Sequence, residues 1–88
     1  MKLLLTAVLA TGLLAALPSV AYAKSCYDLW YERNEIYAEH GYCFVTQLAI
    51  DTFGNDDCYT KNPKFSHREQ RRIADIQAQE DDRDCHVN

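Results

Sequence analysis

Residues 29–44, LWYERNEIYAEHGYCF, decide the fold of this chain. Leu29, Ile36 and His40 fall along one side at helical spacing with Arg33 between them, and Trp30 and Tyr37 form an adjacent stripe. Gly41 follows one residue past the pattern, where a left-handed helix end favours a residue without a Cβ. In front of the stretch, Ser25 and Asp28 have the spacing of a capping box. This reading predicts a helix from about Cys26 to about His40.

Working outward, Tyr42, Cys43 and Phe44 make a tight corner before a shorter helix, roughly Val45 to Phe53. Val45, Leu48, Ala49 and Phe53 should face inward, and Gly54 should stop the helix as Gly41 stops the first. Gly54 to Phe65, GNDDCYTKNPKF, reads as a long loop, because turn formers are dense and no apolar period survives. Cys58, Tyr59 and Phe65 are expected to pin it to the core. Ser66 with Glu69 is a second capping box, opening a third helix to about Asp82. Ile73 and Ile76 are the only large apolar residues of that helix, so it covers the core rather than builds it. Its Arg residues come early and its Asp residues late, against the helix dipole, which points to tertiary ion pairs. Asp84 to Asn88 reads as a loose tail. The prediction is an all-α fold, a small three-helix domain.

The first residues read as an address. Lys2 precedes an apolar run from Leu3 to Leu17, Pro18 breaks it, and Ala21-Tyr22-Ala23 is the small-x-small pattern of a signal peptidase site. The run is shorter than the roughly twenty residues that span a bilayer. Residues 1–23 are therefore expected to be a cleaved signal peptide and residues 24–88 a single domain, with no membrane span left after cleavage.

That domain has 65 residues, of which eleven are Leu, Ile, Val or Phe. So few large apolar side chains leave a small core that needs another constraint. An exported short chain with an even number of cysteines reads as a disulfide framework. Four cysteines allow three pairings. Antiparallel first and third helices would bring Cys26 to Cys85, leaving Cys43 and Cys58 to bracket the second helix and its loop. Thirteen acidic against eight basic residues argue against nucleic acid as a partner, which calls for a basic face. Arg68, Arg71 and Arg72 make one local basic patch, read as a solvated helix face.

Tyr37-Ala38-Glu39-His40-Gly41, with Arg33-Asn34, Ile36, Tyr42 and Phe44 around it, resembles the YARHG domain, a small extracytoplasmic bacterial module. Phe53, Tyr59 and the last helix with Glu69, Ile73 and Ile76 extend the likeness over most of residues 24–88. Glu39 stands where the family motif has Arg, Cys58-Tyr59 where Trp-Tyr is frequent, and Arg72 where Asn is frequent. The resemblance implies a compact helical domain of the cell envelope and no reaction. The cysteines mark this chain as similar to a subgroup in which a disulfide replaces some aromatic packing.

His40 is the most tempting chemical group, but a His near a helix C-terminus has a structural use with the last carbonyls. General-base work would also need a cleft and an oriented partner. Reactive thiolates are unexpected in an oxidising compartment. Neither Cys85-His86, nor His67 with the acidic tail, has zinc-site spacing, and Glu80-Asp81-Asp82 with Asp84 reads as a solvated charge run. No cofactor or metal is expected. Arg33 should be partly buried against Glu69 or Asp75. Tyr27, Trp30 and Tyr31 cannot all face one small core, so an aromatic surface, with His40, is the candidate binding surface. Burial tendencies instead place Trp30 inside with the tyrosines half-buried.

The function expected is a non-enzymatic module, periplasmic or secreted, that binds an envelope protein or a cell-wall glycan. A secreted effector or inhibitor of an extracellular enzyme is the alternative, and the sequence leaves the oligomeric state open. Protein taken from the cell envelope should have an intact mass beginning at Lys24 and no alkylatable thiol until it is reduced. Retention of Met1, or four free thiols in the native protein, would overturn the export reading.

Overall fold

A computed structural model describes residues 24–88. The expected signal peptide, with its cut after Ala23, lies outside the described residues. Among the described residues three helices make up the fold, α1 (Cys26–Glu39), α2 (Gln47–Phe53) and α3 (His67–Asp82). The only extended pairing among the described residues is an isolated parallel bridge between Tyr42 and Thr60. The architecture is all-α, with disulfides Cys26–Cys85 and Cys43–Cys58. Among the described residues no helix is long and apolar enough to cross a membrane.

Helix α1 begins where its capping box places it. The Ser25 hydroxyl accepts from the Asp28 amide at 3.0 Å, and the Asp28 carboxylate accepts from the Ser25 amide at 3.2 Å. At the other end Gly41 has φ of 77°. The Gly41 amide donates to the Ala38 carbonyl at 3.1 Å and the Tyr42 amide to the Tyr37 carbonyl at 3.2 Å. This double closure is a Schellman motif, with the Tyr37 and Tyr42 rings meeting edge-on at 5.3 Å across it. Helix α3 opens on the Ser66–Glu69 capping box and closes with the same motif. There Asp84, at φ 52°, occupies the place usually taken by glycine. Its amide donates to Asp81 and the Cys85 amide to Glu80, which turns Cys85 back towards Cys26.

Two small cores share α1. Leu29 and Ile36 pack against Ile73 and Ile76 of α3, flanked by Tyr37, Phe65 and Cys85. Trp30 packs with Phe44 and Ala49 beside α2, flanked by Leu48, Ile50, Phe53 and Val87. The two stripes expected on α1 therefore serve two different partners, and Tyr37 touches both cores. Asn34, the buried polar residue of α1, donates its side-chain amide to the Trp30 carbonyl at 2.8 Å. Asn55 closes the corner after α1. Its side-chain amide accepts from the Phe44 N–H at 2.9 Å and donates to the Phe44 carbonyl at 3.0 Å, so one side chain completes both backbone groups of a buried residue.

Four expectations need correction. Helix α2 starts at Gln47, because the Thr46 hydroxyl caps it by accepting from the Ala49 amide. Val45 precedes that cap and is 68% exposed rather than inward. Asp84 to Asn88 is not a loose tail, since Cys85 is tied to α1 and Val87 lies against the Trp30 core. Arg33 is partly buried but pairs with Glu80, not with Glu69 or Asp75. Its Nε and Nη2 donate to the two carboxylate oxygens at 2.7 and 3.1 Å. Glu69 is engaged with His40 and Ser66 instead, and Asp75 is exposed and accepts from Gln79.

The Arg33 and Glu80 side chains retain 23% and 13% of their exposure. Removing one partner strands a charge with little access to water, whereas replacing both with apolar groups does not. Arg33→Met should cost about 2–3 kcal/mol in chemical denaturation, and Arg33→Met/Glu80→Leu should regain most of it. An unchanged midpoint in the single variant would show that the pair contributes nothing.

Candidate binding surface

Helix α1 carries aromatic residues on more sides than its two cores can cover, and the excess reaches the surface in its first two turns. Trp30 points inward and is buried, while Tyr27 and Tyr31, one turn apart, remain 46% and 38% exposed. The Tyr27 ring lies 5.3 Å from Trp30 and 6.3 Å from Tyr31, and the Tyr31 ring rests 5.0 Å from Phe53. Trp30 and Phe53 in turn contact each other at 5.9 Å. The tyrosine pair is thus backed by core aromatics, which limits the rotamers open to it.

With Lys24, Asp28, Glu32 and Glu35, the pair lines a shallow groove of about 520 Å³. Three carboxylates face one ammonium there. Glu32 is committed, because it takes both Lys24 and the Arg72 guanidinium, the latter at 2.8 Å. Asp28 is committed to the cap of α1. Glu35 is exposed and forms no ion pair among the described residues.

His40 lies at the far end of α1, away from this groove. Its Nε2 sits 2.8 Å from the Glu69 Oε2 and its ring meets Phe65 edge-on at 5.2 Å. It borders a separate recess of about 480 Å³ with Tyr59, Thr60, Asn62, Pro63 and Lys64. Of the three residues expected to pin the loop to the core, Cys58 is tied to Cys43 and Phe65 packs on the first core, yet Tyr59 is 77% exposed. At Tyr59 itself the backbone holds the loop. The Tyr59 and Thr60 amides donate to the Gly41 carbonyl at 2.8 and 3.1 Å, and the Cys43 amide donates to Thr60 at 2.9 Å. The Tyr59 ring closes over Gly41, where an added Cβ would clash with its Cε2, Cζ and Cδ2.

The four predicted surface residues therefore separate. Tyr27 and Tyr31 come together at the surface, Trp30 supports them from beneath, and His40 belongs elsewhere. Sequence reasoning missed Tyr59, whose exposure follows from a backbone pairing with no local sequence signal. It also missed Glu35, although a carboxylate one helical turn beyond Tyr31 was readable. Of the basic patch, Arg72 is tied to Glu32 and Arg68 and Arg71 are exposed. All four cysteines are in disulfides, and among the described residues no group of three His, Cys, Asp or Glu side chains gathers as a metal-ligand set.

The fold and surface define a small all-α module stapled by two disulfides. The chain belongs to the YARHG domain family, whose family model matches residues 5–81, and the family is a small extracytoplasmic one. The two disulfides fit such a location. No curated protein and no solved structure matches the chain.

The hydrogen bond from His40 holds the Glu69 carboxyl below its ordinary value of 4.5, and the Ser66 amide adds to this against a smaller effect of burial. A carboxyl depressed in the folded state stabilises at pH above its unfolded value and loses that contribution as pH falls through the folded one. The difference in thermal midpoint between the native protein and Glu69→Gln should accordingly be fully present above the ordinary value of 4.5 and shrink as the pH falls below it. A difference that does not vary with pH would show that the carboxylate charge is not what matters.

Proposed function

We propose that this protein is an exported, non-catalytic module of the bacterial envelope, released by cleavage after Ala23, that binds an envelope protein or a cell-wall glycan. The observation that carries this is the exposed Tyr27–Tyr31 pair in its groove, supported from below by Trp30 and Phe53. Tyr is favoured at binding surfaces because it presents a large rigid contact area and a polar tip at low entropic cost. The environment of His40 supports the absence of catalysis. Its Nε2 is engaged by Glu69 and its ring is packed on Phe65, as a structural tie between the end of α1 and the start of α3 would be. A second reading, a secreted effector or inhibitor of an extracellular enzyme, is favoured by the doubly stapled scaffold, which suits exposure outside the cell.

Washed envelope fractions should retain the oxidised, folded protein saturably. Tyr27→Ala combined with Tyr31→Leu should weaken retention by about tenfold or more with little loss of helicity. Absence of saturable retention, in protein shown to be folded and oxidised, would overturn the envelope-binding reading. Accumulation in the medium together with inhibition of a hydrolase would establish the second.

A further inference from the structure

The groove over Tyr27 and Tyr31 has a chemistry more specific than an aromatic platform. The two rings are inclined to each other by 42° with centroids 6.3 Å apart. A sugar ring stacks best on a flat face, whereas an inclined pair presents a cleft to a rod-like group with an apolar stem. The groove is lined by Asp28, Glu32 and Glu35 with Lys24; Lys24 and the Arg72 guanidinium are both taken up by Glu32, and Arg83 donates to the Lys24 carbonyl at its edge. Glu35 carries the uncommitted charge, and its place one helical turn beyond Tyr31 continues the row that Tyr27 and Tyr31 begin. An ammonium or guanidinium over a tyrosine face, with a carboxylate beside it, gains from both the ring quadrupole and the charge.

On the reading that this surface binds a partner, we infer that its occupant is a basic, extended protein segment whose lysine or arginine side chains lie across Tyr27 and Tyr31 and reach Glu35. The row from residue 27 to residue 35 spans about 12 Å of helix. An extended chain places side chains of one face about 6.6 Å apart, so three cations at alternate positions cover the row. The spacing and the apolar cleft favour a peptide over a small free amine, and the charge and the ring inclination favour it over a neutral glycan. The acidic balance of residues 24–88 adds a field that draws such a segment in.

The test titrates the oxidised protein with four probes, following the Tyr27, Tyr31 and Glu35 resonances by NMR. They are a capped peptide alternating glycine and lysine, its N-acetyl-lysine counterpart, an N-acetylglucosamine oligomer and spermidine. The lysine peptide should shift these resonances saturably. Acetylation should weaken binding about tenfold, and raising salt from 20 mM to 500 mM should weaken it by a similar factor. Glu35→Lys, a change at an exposed position outside both cores, should abolish the shifts while the remaining spectrum is preserved. Binding of the acetylated peptide or the sugar as tightly as the lysine peptide overturns the inference, as does equal binding of spermidine. No shift with any probe also overturns it. Saturable retention on envelope fractions would then still stand by itself, and its loss as well would remove the wider reading.

Discussion

The constraint on which everything else depends is a shortage of large apolar side chains. The buried core splits into a group of four residues and a group of three, and neither would hold a domain alone. Their shared element is α1, which must bury two stripes in two directions. The covalent ties lie where that arrangement is weakest. Cys26–Cys85 joins the start of α1 to the end of α3 over a separation of 59 residues, and Cys43–Cys58 closes 15 residues around α2. On a chain-entropy account these contribute about 4 and 3 kcal/mol, comparable with the whole stability of a small domain. Polar clamps complete the work of the cores. Arg33–Glu80 spans α1 and α3 beside the long-range disulfide, and Asn55 holds the backbone of Phe44.

Much of this was legible because it is local. Capping boxes, helix-ending glycines and stripe spacing are encoded within a few residues, so α1 and α3 and their ends could be read directly. The nested disulfides followed from the antiparallel helices. What escaped was decided at a distance. Val45 looked inward because it is apolar, but the Thr46 cap sets the start of α2 and leaves it outside. Arg33 could be recognised as needing a carboxylate, yet the choice of Glu80 depended on Glu69 already being committed to His40. The turn that brings residues 84–88 back onto α1 has no glycine to announce it. Asp adopts the left-handed conformation more readily than most residues, and that single residue directs Cys85 and Val87 onto α1.

The candidate surface follows from the same shortage. A helix asked to supply two cores carries aromatic residues over much of its circumference, and the third helix covers only part of it. Tyr27 and Tyr31 are the aromatic residues left over near the free edge of α1. Their backing by Trp30 and Phe53 makes them rigid as a consequence of core packing, so stability and presentation come from one set of contacts. The two tyrosines were identifiable in the sequence. Their separation from His40 was not, because distance along a helix axis is easily mistaken for a shared face.

The family motif itself belongs to the architecture. Tyr37 joins the two cores, Ala38 lies against the second of them, His40 ties α1 to α3, and Gly41 makes the left-handed turn beneath the Tyr59 ring. Glu39 is the exposed member, and it is the position at which this chain departs from the family's Arg. A motif whose half-buried members build the fold and whose exposed member can reverse its charge specifies a scaffold. On the proposed binding function, recognition falls to side chains outside the motif. In this chain the exposed tyrosines of the first two turns of α1, with Glu35 beside them, are the group with both a rigid support and an unspent charge.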